Sequence, residues 1–417
     1  MLLQQIFRRV IKTGSLTFID HKGRSQHYGG SNQEPGVVIR VHDAGTEWRL
    51  ALNANLEAGE AYMDGRLTIE RGTLYDFMDL MLRNMGTAPL PFSGAIMLYD
   101  RLLKWWHQWN DADASKRRVQ HHYDLDGRLY DLFLDTDKQY SCAYFPTPET
   151  TLEQAQLAKK RHIAAKLRLQ PGQRVLDIGS GWGGMALYLA QHYGVEVLGV
   201  TLSEEQHRIA TQRARDMGLS DRVTFELRDY RSLQGPFDRI VSVGMFEHVG
   251  VPHFPAFFQT VNRLLAPDGV ALLHAIGRSD GPGSTAGFIR KYIFPGGYCP
   301  ALSEVLPVIE KSGLYLTDAE ILRLHYAETL RHWRERFLAQ WDKAKELYDE
   351  RFCRMWEFYL AGSEVTFRHA GHMVFQLQLT RQVETLPITR DYMLDDERAQ
   401  AAGNVAGLRA PVAARSA

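Results

Sequence analysis

The run Arg174-Val175-Leu176-Asp177-Ile178 constrains this chain more than any other stretch. It is an apolar strand that ends in the glycine-rich turn Gly179-Ser180-Gly181-Trp182-Gly183-Gly184 and passes directly into a helical pattern over 182–193. Glycines at such a turn let the backbone come close to a ligand at the carboxyl edge of a sheet. The alternation then continues. Strands are expected at 195–200, 223–227, 239–243 and 270–275, with helices at 203–217 and 255–265, and an amphipathic helix at 152–167 precedes them. Continuous apolar strands separated by helices imply a parallel sheet covered on both faces. A last strand, 373–379, follows a helical insertion from about 328 to 360.

The turn alone does not name its ligand. The spacing Gly179-x-Gly181-x-Gly183 is not the GxGxxG of dinucleotide sites, and a tight turn needs no ligand at all. The neighbouring strand ends add the chemistry. The second strand ends in Thr201-Leu202-Ser203, and Gln206 in the next helix is placed to reach ribose hydroxyls. The third ends in Asp229-Tyr230-Arg231, where an acid can accept from an adenine amino group and a ring can cover the base. Trp182 would crowd a pyrophosphate at the helix N-terminus. Adenosine with a methionine tail fits better, so the expected cosubstrate is S-adenosylmethionine, held by Gly179, Gly181, Trp182, Thr201, Leu202, Ser203, Gln206, Asp229, Tyr230 and Arg231. The expected fold class is α/β, a class I methyltransferase (Rossmann-like) seven-stranded sheet with a helical insertion.

The 417 residues exceed one ordinary core. Residues 1–110 read as a separate small α+β domain. It has a helical pattern through Leu2, Leu3, Ile6, Phe7, Val10 and Ile11, short strands at 15–19 and 37–41, and a helix at 73–84. A linker with Trp105, Trp106 and Trp109 leads to the catalytic part, 111–394, and residues 395–417 read as a loose tail. Lys plus Arg equals Asp plus Glu, 49 each, which together with the lack of a base-reading module argues against a nucleic-acid partner. The three cysteines, Cys142, Cys299 and Cys353, form neither a disulfide framework nor a zinc site, so a cytoplasmic protein without a metal is expected. No secretory signal or transmembrane run stands out. Arg8, Arg9 and Lys12 beside the apolar face of the first helix would suit the inner face of the cell membrane, although that face could equally pack on its own domain.

Longer motifs carry a resemblance. Tyr140-Ser141-Cys142-Ala143-Tyr144-Phe145, the glycine turn and Met245-Phe246-Glu247-His248-Val249-Gly250 resemble the cyclopropane-fatty-acyl-phospholipid synthases. So do Leu272-Leu273-His274-Ala275-Ile276-Gly277 and Lys291-Tyr292-Ile293-Phe294-Pro295-Gly296-Gly297. The similarity runs from about 122 to 382, and the N-terminal domain is similar to that of phospholipid-acting members. The resemblance implies transfer of a methylene group from S-adenosylmethionine to the cis double bond of an unsaturated phospholipid acyl chain, through a carbocation. It implies bicarbonate as general base, with Cys142, Glu247, His274, Ile276 (through its backbone) and Tyr326 as catalytic positions, and Tyr140 and Ser141 at the cosubstrate. It also implies a homodimer peripherally associated with the membrane, in which the N-terminal domain aids access to lipid.

The residue types suit these roles. A tyrosine hydroxyl, an imidazole N–H and backbone amides can donate to a small oxyanion, and a glutamate can accept from its hydroxyl. Taken singly, Cys142 reads as core packing, His274 as a core histidine and Glu247 as a helix cap; their joint occurrence carries the catalytic reading. His248 is read as structural. Phe288, Tyr292, Phe294 and Tyr298 lie in one loop suited to offer aromatic faces to a cation, although each taken singly reads first as packing. Ser363 stands where many relatives have a cysteine, which argues against a covalent cysteine route, and Ser180 likewise replaces a frequent cysteine. The alternative is a fatty acyl methyltransferase that gives a methylene- or methyl-branched chain.

Overall fold

The computed structural model describes residues 2–30, 36–85 and 127–409, with the backbone alone for 404–409. The expected boundary near residue 110 and the Trp105, Trp106 and Trp109 cluster lie outside these residues.

The chain begins with helix α1 (Leu2–Val10), strands β1 (Ser15–Ile19), β2 (Ser25–Gly29) and β3 (Val37–Val41), helices α2 (Ala44–Leu52) and α3 (Ala54–Met63), strand β4 (Leu67–Arg71) and helix α4 (Leu74–Met85). The strands form a sheet in the order β2-β1-β3-β4. Leu3, Phe7 and Val10, spaced to one face of α1, are buried in the same core as Leu16, Phe18, Ile39 and Val41. Of the two readings of α1, the structure therefore shows packing on its own domain, with Arg8 and Arg9 exposed. Strands β2 and β4 escape sequence reading because Ser25–Gly29 is polar and Leu67–Arg71 has only two aliphatic residues.

The second part runs through helices α5 (Gly127–Asp131) and α6 (Leu152–Leu167), then β5 (Arg174–Ile178), α7 (Gly184–Tyr193), β6 (Glu196–Thr201), α8 (Glu204–Asp216), β7 (Val223–Leu227), β8 (Phe237–Val243), α9 (Phe254–Leu264) and β9 (Leu265–Arg278). After α10 (Leu302–Ile309) and β10 (Tyr315–Leu322) come the inserted helices α11 (His325–Ala339), α12 (Trp341–Leu347) and α13 (Glu350–His369), then β11 (His372–Thr380) and α14 (Asp391–Arg409). The seven strands lie in the order β10-β11-β9-β8-β5-β6-β7. Strands β9, β8, β5, β6 and β7 pair in parallel, and β11 is antiparallel to both β9 and β10. This is the seven-stranded α/β sheet expected. Its strand β10 has no sequence signal because it is an edge strand whose Thr317, Asp318 and Glu320 break the apolar run.

Two expectations change. Helix α6, expected to be amphipathic, is buried nearly all round: a capping box between Thr151 and Gln154 starts it, and its Lys159, Lys160, His162 and Lys166 lie inside the protein against polar partners. The loose tail expected from 395 is, through Arg409, part of α14. That helix docks where Tyr193 donates to Asp396 at 2.9 Å and His162 meets Glu397 at 2.7 Å, with Met393 buried. The pairs join residues some 200 positions apart, which local periodicity cannot reveal.

The first domain sits against the second. Tyr62 donates to Glu357 at 2.5 Å, and Lys291 pairs with Glu60 at 2.5 Å. A Cβ at Gly59 would lie 2.1 Å from the Phe288 ring, so only glycine admits that contact.

Candidate active site

The carboxyl ends of β5, β6, β7 and β8 open onto one cleft. Gly179 and Gly181 both have positive φ; a Cβ at Gly179 would meet Met245 at 2.8 Å, whereas one at Gly181 would project into open space. Tyr140, Ser141, Gly179, Gly181, Trp182, Thr201, Leu202, Gln206, Asp229, Tyr230 and Arg231 all line the cleft. Ser203 does not. It lies beneath, fully buried, and its Oγ accepts the N–H of Gln206 at 3.3 Å to cap α8.

The polar groups of the cleft are oriented by their neighbours. Thr201 Oγ1 donates to Gln206 Oε1 at 2.8 Å, so the amide nitrogen is what Gln206 can offer a ligand. Asp229 accepts from the Arg231 backbone at 2.9 Å and its guanidinium at 2.6 Å. Burial raises the Asp229 carboxyl, but these bonds more than offset it and hold the group below its usual range. Asp177, at the end of β5, is the reverse case. Burial pushes it up to about 7, and among the described residues its Oδ2 has no hydrogen-bond partner. Behind the cleft, the buried Lys159 donates to Gln139 Oε1 at 2.7 Å and Ser141 Oγ at 2.8 Å, and burial lowers it to about 8.

The expected catalytic residues lie outside the cleft lining, although Ser141 beside Cys142 and His248 beside Glu247 belong to it. Glu247 Oε1 accepts the Ile276 N–H at 2.5 Å. The amide of Ile276 therefore serves Glu247, where it was expected to face an anion directly. Among the described residues Glu247 Oε2 has no partner, and burial pushes this carboxyl up to about 7. His274 stands two residues before Ile276 on β9, and Gly244 at the end of β8 donates to its carbonyl at 2.9 Å. Its Nδ1 faces Gln376 Nε2 of β11 at 3.0 Å. Cys142 and Tyr326 belong to one buried aromatic cluster against which Ile276 packs. The Cys142 thiol donates to the Ala143 carbonyl at 3.3 Å, and burial pushes its pKa up, which keeps it a neutral thiol.

The aromatic residues of 288–298 divide. Tyr292 donates to Glu60 at 2.7 Å and Tyr298 to Glu304 at 2.6 Å, so both hydroxyls tie the segment to its surroundings. Phe294 lies edge-on to Tyr359 at 5.9 Å, and the Tyr359 hydroxyl meets that of Tyr140 in the cleft at 2.8 Å. Phe288 packs on Phe358 at 4.6 Å. Sequence reading missed Tyr359, on α13, because helical spacing there looks like ordinary packing. It also missed Asp177 as a ligand group, and Gln139 and Lys159, since Lys159-Lys160 resembles a solvated face. His248, read as structural, lines the cleft.

Residues 110–377 match the family model for mycolic acid cyclopropane synthetase. The chain belongs to that family. Within the mycolic acid cyclopropane synthetase family it is 38% identical over 348 residues to the cyclopropane-fatty-acyl-phospholipid synthase of Escherichia coli (strain K12), covering 83% of this chain and 88% of the relative. It is 40% identical over 296 residues to a Pseudomonas putida protein named "Probable fatty acid methyltransferase", covering 68% of this chain and 75% of that one. A mycolic acid cyclopropane synthase crystallised with SAH and CTAB superposes with a TM-score of 0.61 at 35% identity, over 63% of this chain and 97% of that one. Like other members of the mycolic acid cyclopropane synthetase family, the protein is an S-adenosylmethionine-dependent methyltransferase. The cleft fits that cosubstrate. The open side of Gly181 leaves room for it, and the partnerless oxygen of Asp177 suits a ligand that carries positive charge. Among the described residues no helix is long and apolar enough to cross a membrane.

Proposed function

We propose that this protein is a cyclopropane-fatty-acyl-phospholipid synthase, with an N-terminal domain over 1–110 that assists a homodimer at the inner membrane surface and a catalytic domain over 111–394. The observation that carries the reading is Glu247, a buried carboxyl with one oxygen held by Ile276 and the other without a partner among the described residues, near His274 and behind an S-adenosylmethionine cleft. Apolar surroundings are what an acyl chain needs, and a polar pair set in them needs a chemical reason.

S-adenosylmethionine supplies an electrophilic methyl group to the lipid double bond. Gly179, Gly181, Thr201, Leu202, Gln206 and the Asp229-Tyr230-Arg231 turn would hold the adenosine, with Ser203 capping α8 beneath them, and Tyr140, Ser141, Trp182 and Asp177 would serve its charged end. Phe294 lies edge-on to Tyr359, whose hydroxyl meets that of Tyr140, and this aromatic group beside the cleft would exclude water and lower the energy of positive charge on the chain. Glu247, His274 and Tyr326 would hold a small oxyanion, with Ile276 orienting Glu247 and Cys142, its S–H given to the Ala143 carbonyl, serving as a neutral wall. Bicarbonate would suit these groups, and when bound it would supply a general base beside Glu247, a carboxyl that burial makes costly to ionise.

A fatty acyl methyltransferase is the second reading, favoured by the Pseudomonas putida relative. The two differ in which proton leaves. Expression in a host without cyclopropane lipids, followed by mass spectrometry of its phospholipids, separates them. A gain of one CH2 on unsaturated chains that resists catalytic hydrogenation supports the synthase. The same gain with removable unsaturation supports the methyltransferase, as does a gain of CH4, which is a methyl-branched chain whose unsaturation a cellular reductant has removed, and no gain in cells with folded protein opposes both.

A further inference from the structure

Behind His274 the structure contains a continuous run of buried polar side chains. His274 and Gln376 are direct cross-strand partners on β9 and β11. Gln376 Nε2 lies 3.0 Å from His274 Nδ1, and Gln376 Oε1 lies 2.6 Å from Lys166 Nζ of α6. Lys166 pairs with Glu320 of β10, whose Oε2 also meets His162 Nε2 at 2.6 Å. His162 Nδ1 meets Glu397 of α14 at 2.7 Å. His274, Gln376 and Lys166 are each no more than 2% exposed.

The donor and acceptor roles along this run are forced from one end. Glu320 is held at about 2: burial raises it, and His162 and Lys166 outweigh that; burial lowers Lys166 in turn, and the Glu320 carboxylate against its Nζ opposes that shift and keeps it an ammonium. An ammonium has only hydrogens to offer. The Gln376 oxygen must therefore face Lys166, which turns its NH2 toward His274. A ring nitrogen that receives an N–H carries no proton of its own, and the proton of a neutral imidazole then sits on the other nitrogen. Burial holds His274 well below its usual pKa, and the nearby Lys159 and Lys166 add to this, so the ring is neutral and has a tautomer to choose.

We infer that Gln376 and Lys166 are positioning residues that set His274 in the Nε2–H tautomer, so that the edge of the ring away from β11 is a hydrogen-bond donor. The inference rests on the proposed role of His274 as a donor to an oxyanion. It adds that this role is imposed from the neighbouring strand β11, by an amide that itself touches neither substrate nor anion. A free neutral histidine favours this tautomer only modestly, so the Gln376 amide is what makes it the single form, and the other tautomer would turn a lone pair toward the anion.

The test is nitrogen NMR on the full chain with 15N-labelled histidine, with His274 assigned by the resonances lost in His274→Gln. The expected wild-type spectrum has the His274 proton on Nε2 and none on Nδ1. In Gln376→Glu the carboxylate can only accept, so a proton should appear on Nδ1. Turnover in that variant should fall at least tenfold, with KM for S-adenosylmethionine unchanged. A wild-type ring protonated on Nδ1 overturns the inference, as does a Gln376→Glu protein that keeps the Nε2–H pattern or the wild-type kcat. If Gln376→Glu does not fold, the wild-type spectrum and that of Lys166→Met decide. Release of the Gln376 amide should give a mixture of tautomers there, and an unchanged single tautomer counts against the inference. The expected spectra from protein that makes no cyclopropane lipid would uphold the tautomer and sink the functional reading alone.

Discussion

Glu247 Oε1 lies 2.5 Å from the backbone nitrogen of Ile276, so the carboxyl that follows β8 is anchored on β9 by one oxygen and left with the other. Glutamine can keep the anchoring bond but loses the second oxygen. Glu247→Gln should therefore fold with wild-type stability and bind S-adenosylmethionine within about twofold of wild type, while turnover falls by about 10²- to 10⁴-fold, the range of a lost acid–base group. Calorimetric titration and a lipid assay check both halves. Equal loss of cosubstrate affinity would put Glu247 in the wrong subsite.

Asp177 gives a pH signature. Burial raises it to about 7 from an ordinary 3.8, so between these values the folded chain binds a proton that the unfolded chain has released. Its contribution to stability is then least favourable above pH 7 and improves as pH falls toward 4. Asp177→Asn should stabilise the ligand-free protein on the order of 3 kcal/mol more at pH 8 than at pH 4.5. A positively charged ligand beside Asp177 favours the ionised form, so S-adenosylmethionine should release protons on binding near pH 6.5. Titration calorimetry in buffers of different ionisation enthalpy measures this, and proton uptake would contradict it.

Asp229 is held by two groups of Arg231, which shapes the turn that carries Tyr230 into the cleft. Asp229→Ala removes the cap of that turn and the carboxylate that its Arg231 pairs with. The Kd for S-adenosylmethionine should rise at least about tenfold, near 1.4 kcal/mol, with little change in melting temperature. An unchanged Kd would show that the third strand end does not touch the cosubstrate.

Removal of residues 391–417 takes away Asp396, Glu397 and the buried Met393. The loss should be on the order of 3 kcal/mol in denaturant unfolding. Burial lowers His162, but Glu320 and Glu397 outweigh it and raise its folded pKa above 6.5. Its share of stability is complete below pH 6.5 and fades as pH climbs through the folded value. Truncation should consequently cost more at pH 6 than at pH 8.5, and a larger cost at high pH would contradict the pairing.

How much of this was legible in the sequence follows from the range of each interaction. The strand–turn–helix of 174–193 and the ends of β6 and β7 are local patterns, and they pointed to a parallel sheet and to the part of the cleft lining that those strand ends carry, though not to Gln139, Asp177, Met245 or His248. Strand β10 was not legible, because an edge strand can be polar and still pair. The catalytic positions came from long motifs, yet the motif could not say that the Ile276 amide points at Glu247. Lys159, Lys166 and Gln376 were invisible for a shared reason: a lysine buried by partners 20 to 210 positions away looks, in sequence, like one in water. The helix α14 was missed because its Ala-rich run has no apolar stripe, and it is held through Asp396 and Glu397.

The most direct test of methylene transfer uses the purified full chain, vesicles of monounsaturated phospholipid and S-adenosylmethionine with a CD3 methyl group. Ring closure by loss of one hydrogen from the new methyl predicts acyl chains that carry two deuteriums and resist catalytic hydrogenation. Chains that retain three deuteriums, or that take up hydrogen at the labelled carbon, would contradict cyclopropane formation.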